Sequence, residues 1–221
     1  MYSVKEAFYT LQGEGIQAGR ASVFCRFSGC NLWSGREQDR ERAQCRFCDT
    51  DFVGTDGQGG GRFSDAASLA DHIVELWPFP VGASGSVPYV VFTGGEPLLQ
   101  LDAALIDAMH QRGFEVAVET NGTLPAPPGI DWICVSPKGD APLAQTYGNE
   151  LKLVYPQRDL APARFSGLEF DHFLLQPMDI SHVPEHHIPT TESPMQATLE
   201  YCLSNPLWRF SLQTHKIAGI A

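Results

Sequence analysis

The chain alternates short apolar runs with polar links rich in glycine and proline. Seven runs are dense in β-branched and aromatic residues: 23–27, 89–93, 115–120, 132–136, 150–155, 172–176 and 208–212. Many are nearly continuous in apolar residues, as strands buried on both faces of a parallel sheet are. Helical periodicity is scarcer. Residues 64–77 carry Leu69, Ile73, Val74, Leu76 and Trp77, with Ser64 as the cap candidate. Residues 102–111 carry Leu105, Ile106 and Met109, and Gly113 is placed to end that helix. Residues 194–203 carry Met195, Leu199 and Cys202. Two links, 121–131 and 156–171, hold too much proline and glycine, or too little periodicity, to be helices. Parallel strands with missing crossover helices predict an α/β fold: a partial (β/α) barrel of about six core parallel strands, with fewer helices than a full barrel. No repeat or domain boundary interrupts residues 1–221, so one domain is expected. The glycine-rich stretch 54–62 is a flexible loop too short for a linker.

Composition narrows the class. The chain has 221 residues, 43% hydrophobic and 19% charged, which suits one globular domain with a real core. No apolar run is long enough to span a bilayer, and the start Met1-Tyr2-Ser3-Val4-Lys5-Glu6 lacks a signal-peptide pattern. A cytoplasmic protein with no membrane partner is expected. The formal net charge of −11 argues against nucleic acid as a partner, which calls for a basic face. It leaves room for a locally basic pocket, for which Lys5, Arg20, Arg26, Arg46 and Lys138 are candidates.

Cysteine usage carries the chemistry. Four of six cysteines fall within residues 25–48, a clustering that in a cytosolic chain points to metal or catalysis rather than disulfides. Cys30 precedes the pair Cys45-Arg46-Phe47-Cys48 by fourteen residues. Three thiolates can hold three irons of a cubane cluster and leave the fourth open for chemistry. Cys25 with Cys30, Cys45 and Cys48 would instead make a closed four-thiolate zinc site. Against zinc, Cys25 lies inside the run Val23-Phe24-Cys25-Arg26-Phe27, where it need not face the loop. Further on, Tyr89-Val90-Val91-Phe92-Thr93-Gly94-Gly95-Glu96-Pro97 is a buried strand running into two glycines. Glycines there let backbone carbonyls approach a ligand closely, and such carbonyls beside Glu96 can accept from an ammonium group.

Together these marks resemble the radical S-adenosylmethionine superfamily: three cysteines, an aromatic residue before the last, and Gly-Gly-Glu after a core strand. The fourteen-residue gap, an insertion at about 31–44, resembles one family within it, the 7-carboxy-7-deazaguanine synthases of queuosine biosynthesis. Local strings also match, among them Phe8-Tyr9-Thr10-Leu11-Gln12-Gly13-Glu14-Gly15, Gly29-Cys30-Asn31-Leu32-Trp33, Phe47-Cys48-Asp49-Thr50-Asp51, Glu119-Thr120-Asn121-Gly122, Val135-Ser136-Pro137-Lys138, Leu174-Leu175-Gln176-Pro177-Met178 and Gln213-Thr214-His215-Lys216. The likeness runs from about residue 4 to the C-terminus and is weakest at 157–171 and 179–194. A glycyl-radical activase, a related enzyme type, is disfavoured by the long gap and by Leu11-Gln12-Gly13-Glu14.

The resemblance implies a carbon–nitrogen lyase. A 5′-deoxyadenosyl radical would take hydrogen from C6 of 6-carboxy-5,6,7,8-tetrahydropterin. The ring would then contract to 7-carboxy-7-deazaguanine with loss of ammonia, and S-adenosylmethionine would be regenerated. Cys30, Cys45 and Cys48 would ligate a 4Fe-4S cluster. Phe47, Cys48, Asp49, Gly95, Ser136, Pro137, Lys138, Gln176, Pro177, Met178 and Asp179 would form the S-adenosylmethionine pocket. Leu11, Gln12, Gly13, Thr93 and the terminal carboxylate of Ala221 would contact the pterin, and Arg26 would pair with its carboxylate. Thr50 would ligate Mg2+, which keeps most of its waters. The family end is Gly-Ile-Pro; this chain ends Gly219-Ile220-Ala221. A homodimer and an electron donor such as flavodoxin are implied as partners.

Other features read as ordinary. Gly59-Gly60-Gly61 lacks the lysine and preceding strand of a phosphate loop. His182, His186 and His187 fall in a surface loop by their proline-containing context. His215 sits in a matching motif, which makes a substrate-side role an expectation. Cys134 and Cys202 are expected to be buried small hydrophobes. The charged string 34–42 reads as a short exposed helix and a docking face for an electron donor.

Overall fold

The computed structural model describes all residues except 83, 84, 86, 159, 182, 184–187, 190–192 and 221. Its strands are β1 (Tyr2–Leu11), β2 (Ala21–Phe27), β3 (Gly61–Phe63), β4 (Tyr89–Gly94), β5 (Glu115–Thr120), β6 (Trp132–Val135), β7 (Tyr147–Tyr155), β8 (Glu169–Pro177) and β9 (Trp208–Phe210). They form one sheet in the order β3-β1-β2-β4-β5-β6-β7-β8-β9. All seven apolar runs are strands, and each pairs in parallel with its neighbour from β2 to β9. The parallel set is therefore seven strands rather than about six. Two further strands add to it, because β1 pairs antiparallel with both β2 and β3. Lys5, Glu6 and Thr10 break the apolar run of β1, which hid it from an apolar-run reading.

Side chains alternate between the two faces of each strand. Val23, Cys25 and Phe27 of β2, Val90 and Phe92 of β4, and Val116 and Val118 of β5 share one buried cluster. The helices α1 (Ala66–Leu76) and α2 (Ala103–Gln111) close it with Leu69, Ile73, Leu105 and Met109. Each such large side chain contributes about 1.5–3 kcal/mol by leaving water. A second cluster joins Val135, Leu151, Leu153, Phe173 and Leu175 to Trp208 and to Tyr201 and Cys202 of α3 (Pro194–Ser204). Cys202 is only half-buried, unlike Cys134. Asp65, not Ser64, caps α1: its carboxylate accepts from Ser68 N at 2.8 Å, while Ser64 donates to that carboxylate. Asp102 caps α2, and Gly113 follows it with φ of 78°.

Among the described residues, the link 121–131 has no helix and 156–171 holds only one short 3-10 turn, Pro162–Phe165. Where helices are missing, the opposite face of the sheet closes on itself. Thr214 N donates to Gly13 O at 2.8 Å, and Gly15 N to Ser211 Oγ at 3.2 Å. These join the segment after β1, second in the sheet, to the segment after β9, the last. The sheet curls until they touch, although β3 and β9 remain its two edges. Among the described residues no helix is long and apolar enough to cross a membrane.

Candidate active site

The curl encloses a cavity of about 450 Å3 at the C-terminal ends of the parallel strands. Arg26, Thr93, Glu119, Lys152 and Gln176 line it, one from each of five strands. They take the positions opposite the apolar face. Arg26 sits across from Thr93, Glu119 across from Cys134, and Val154 across from Gln176. Deeper on the same face, Tyr89, Val91 and Ala117 form an apolar floor with Phe24 and Trp132. Active sites of parallel barrels are built at this end of their strands.

The cysteine loop forms one wall. Cys30, Cys45 and Cys48 all line the cavity. Cys25 is fully buried in the helix-side core, where burial pushes its thiol well up. A zinc ion with bonds of about 2.3 Å needs thiolates about 3.8 Å apart. Among the described residues, none of the four cysteines joins a metal-competent group of three with ligand atoms within 4.8 Å of one another. The burial of Cys25 in the helix-side core opposes the closed four-thiolate site. Hydrogen bonding between Cys45 and Cys48 pulls the Cys48 thiol down to about 7 and pushes Cys45 well up. Burial raises Cys30. Trp33, Ala43 and Phe52 back the loop with apolar surface that touches Cys30 and Cys48. The charged string is not wholly exposed: residues Glu37–Arg42 form a 3-10 turn whose Arg40 is buried.

The residues expected around a nucleoside cofactor mostly converge. Phe47, Asp49, Gly95, Ser136, Lys138, Gln176, Pro177 and Asp179 line the cavity. Pro137 and Met178 do not; the Pro137 carbonyl accepts from Gln157 Nε2 at 3.2 Å, and Met178 is buried behind the strand end. Glu96 is fully buried and absent from the lining. Its carboxylate accepts from Leu98 N at 2.9 Å, Thr120 Oγ1 at 2.7 Å and Asn121 N at 2.8 Å. It staples the end of β4 to the end of β5, which leaves Gly94 and Gly95 as the part of the motif facing the cavity. Lys138 Nζ donates to Ser136 O at 2.8 Å. The Oε1 of buried Gln176 has no partner among the described residues. An orphan acceptor in a cavity wall fits a ligand that donates to it.

On the other wall lie Leu11, Gln12, Gly13, Arg26 and Thr93. Arg26 Nε donates to Glu6 at 2.8 Å, which leaves the Nη groups without a partner among the described residues. Thr50 lines the cavity beside Cys48, its hydroxyl 3.5 Å from Asp49 Oδ1. Lys5 is spent on the same loop, at 2.9 Å from both Val53 O and Asp51 and 2.8 Å from Asp56. Arg20 and Arg46 lie outside the cavity: Arg20 pairs with Glu115 and stacks 3.7 Å over Tyr89, and Arg46 is exposed. His215 lines the cavity, packed where a side chain on Gly13 would stand. Ala221, His182, His186 and His187 lie outside the described residues.

Sequence reading missed the cavity's charged core. Lys152, nearly buried, lies 2.8 Å from Glu14 and 2.9 Å from Glu119, and Gln12 Nε2 donates to Glu119 at 3.1 Å. Burial raises the Glu14 carboxyl, but Lys152 and Gln213 outweigh that and hold it at about 2. Glu119, Cys134 and Glu150 place ligand atoms within 4.8 Å of one another, and the Lys152 ammonium supplies the cation there. The signal was present: a charged residue in mid-strand, at the parity opposite the apolar face, must point into something polar. Lys216 was likewise missed. It sits on α4 (Thr214–Ala218), 2.6 Å from Asp49 and 2.5 Å from Asp179.

No protein-family model matches the chain. It is 64% identical over 219 residues to a 7-carboxy-7-deazaguanine synthase of Bordetella pertussis, covering 99% of each chain. It is 61% identical to one of Bradyrhizobium diazoefficiens, again over 99% of each. The crystal structure of QueE from Escherichia coli shares the fold with a TM-score of 0.61 at 25% identity, covering 97% of this chain and 94% of that one. With identity this high across its whole length, the chain belongs to the 7-carboxy-7-deazaguanine synthase family.

Proposed function

We infer that the chain catalyses the reaction its family is named for. It converts 6-carboxy-5,6,7,8-tetrahydropterin to 7-carboxy-7-deazaguanine with loss of ammonia, in queuosine and 7-deazapurine biosynthesis. The observation that carries this reading is one cavity lined by Cys30, Cys45 and Cys48 on one side and by Gln12, Arg26 and Thr93 on the other. The donor set suits a three-thiolate 4Fe-4S cluster, and the orphan Gln176 Oε1 suits a nucleoside donor. When bound, the cluster and S-adenosylmethionine would supply the radical chemistry that removes hydrogen from substrate C6.

The chain's own residues position and shield that chemistry. Cys30, Cys45 and Cys48 would ligate the cluster. Phe47, Asp49, Gly95, Ser136, Lys138, Gln176, Pro177 and Asp179 would hold S-adenosylmethionine, with Pro137 and Met178 supporting from behind. Arg26 presents its Nη groups to the substrate carboxylate while Glu6 fixes its Nε. Gln12, backed by Glu119, offers an amide to the pterin edge, beside Leu11, Gly13 and Thr93. Thr50 is the proposed Mg2+ ligand, one hard oxygen beside the substrate carboxylate. The Ala221 carboxylate remains the proposed tail contact. The curl that brings Gly13 to Thr214 supports a partial barrel, built as a single domain over 1–221. A homodimer, an electron donor such as flavodoxin and a cytoplasmic location complete the reading.

The test is anaerobic turnover of the reconstituted protein with the carboxytetrahydropterin, dithionite, S-adenosylmethionine and Mg2+. The deazaguanine product is expected by mass and absorbance. A fully iron-loaded protein that forms none defeats the reading.

A further inference from the structure

The fourteen-residue insertion holds a side chain that the reaction does not account for. Arg40 is buried, yet it stands in the most highly charged stretch of the chain. Its Nη1 donates to the Arg46 carbonyl at 2.9 Å and to the Cys48 carbonyl at 3.1 Å. Its Nε donates to both Glu37 oxygens, at 2.8 and 2.9 Å. The guanidinium stacks 4.2 Å over the Trp33 ring. Trp33 is itself fixed, its Nε1 donating to Arg36 O at 3.2 Å and its ring edge-on to Phe52 at 5.7 Å.

Those two carbonyls need such a partner. Residues 43–50 have no regular helix or strand, and no backbone N–H donates to Arg46 O or Cys48 O among the described residues. The other bonds nearby leave both carbonyls alone: Gln44 N donates to Leu32 O and Arg46 Nε to Ala43 O. A guanidinium can do what an ammonium cannot. Its planar fork donates in fixed directions and stacks on an aromatic face at once.

We propose that Arg40 is the positioning residue of the three-cysteine loop, clamping the backbone on both sides of Phe47 so that Cys45 and Cys48 stand ready before any iron arrives. The insertion is then a brace folded over the loop, with its outward charges free for other uses. This rests on the three-cysteine reading of the site, and the experiment separates the two.

Two variants divide charge from geometry: Arg40→Lys keeps the charge and loses the fork, and Arg40→Met loses both. Hydrogen exchange is read first on the metal-free chain. Peptides over residues 43–50 are expected to exchange at least about tenfold faster in both variants, with peptides over β4 and β5 unchanged. After reconstitution, both variants are expected to lose iron to a chelator at least about tenfold faster than wild type. Their reduced clusters should also give an altered electron paramagnetic resonance spectrum, because the sulfurs relax. The proposal is overturned if Arg40→Lys keeps wild-type exchange in the loop, or keeps the wild-type spectrum. If Arg40→Met unfolds globally, Arg40→Lys alone decides. A wild-type protein that takes up no iron would sink the cluster reading instead, and the metal-free exchange would still decide the clamp.

Discussion

The Lys216 ammonium lies 2.6 Å from the Asp49 carboxylate, and so ties the last helix of the chain to the residue that follows Cys48. The same ammonium reaches Asp179, after β8, at 2.5 Å. One side chain thus joins three parts of the cavity rim: the cysteine loop, the end of β8 and the tail. Burial alone would lower its pKa, but the two carboxylates outweigh that and raise it, so it stays charged across the neutral range.

Lys216→Met should loosen the rim without emptying it. Partly exposed ion pairs are worth about 0.2–1 kcal/mol each and Lys216 makes two, so KM for S-adenosylmethionine is expected to rise roughly two- to thirtyfold. Iron content should stay at the wild-type level, since no cysteine moves. Initial rates across a cofactor titration, with iron assayed in parallel, check this. Iron falling in step with activity would show that the latch supports the cluster instead.

Lys152→Met should be far more costly. It leaves Glu14 and Glu119 facing each other in a nearly buried place, and breaking a buried pair from one side costs about 3–5 kcal/mol. The sign of the pH effect follows from Glu14. Its folded pKa of about 2 lies below the ordinary 4.5, so its pairing stabilises the fold above pH 4.5 and is lost as pH falls toward 2. The difference in Tm between wild type and Lys152→Met should therefore shrink between those values. A difference constant over that range would show that Lys152 acts by packing alone.

The strands were legible because burial on both faces of a parallel sheet favours nearly continuous apolar runs, and all seven such runs pair as expected. The parts that escaped are those where tertiary context, not local pattern, supplies the reason. β1 carries Lys5 and Glu6 because it pairs beside the cysteine loop and the cavity, so its run looks broken. Arg40 reads as surface charge in sequence, and only folding reveals the carbonyls it serves. Glu96 sits in a motif whose glycines face the cavity, yet its own carboxylate turns inward to Thr120 and Asn121. The cysteine triplet was readable from spacing, and the strand run around Cys25 already set that residue apart; the fold adds the core face on which it is buried.

The choice between three and four ligands yields its own test. Cys25→Ala removes a fully buried sulfur from the helix-side core and is expected to cost about 0.5–3 kcal/mol of stability. Iron per chain after anaerobic reconstitution should be unchanged. Cys45→Ala, by contrast, should abolish iron uptake while the fold remains. Loss of metal from the Cys25 variant at intact secondary structure would restore the four-thiolate site.

Gly95 offers the most local test of how the cavity is assembled. A methyl group there would overlap the Gly29 carbonyl oxygen and stand 2.5 Å from Cys30 Cβ. Both neighbours belong to the backbone-fixed start of the cysteine loop, where Glu96 N donates to Gly29 O at 3.0 Å. Neither can move without carrying Cys30 along. Gly95→Ala is therefore expected to cost about 1–3 kcal/mol through overpacking, and to lower iron occupancy as well as turnover. The requirement for glycine is thus first a matter of packing strand end against cysteine loop, and only then of room for a ligand. Melting and iron assays on this variant decide between them. A variant with wild-type stability and full iron, defective only in binding S-adenosylmethionine, would mean that the ligand alone demands the glycine.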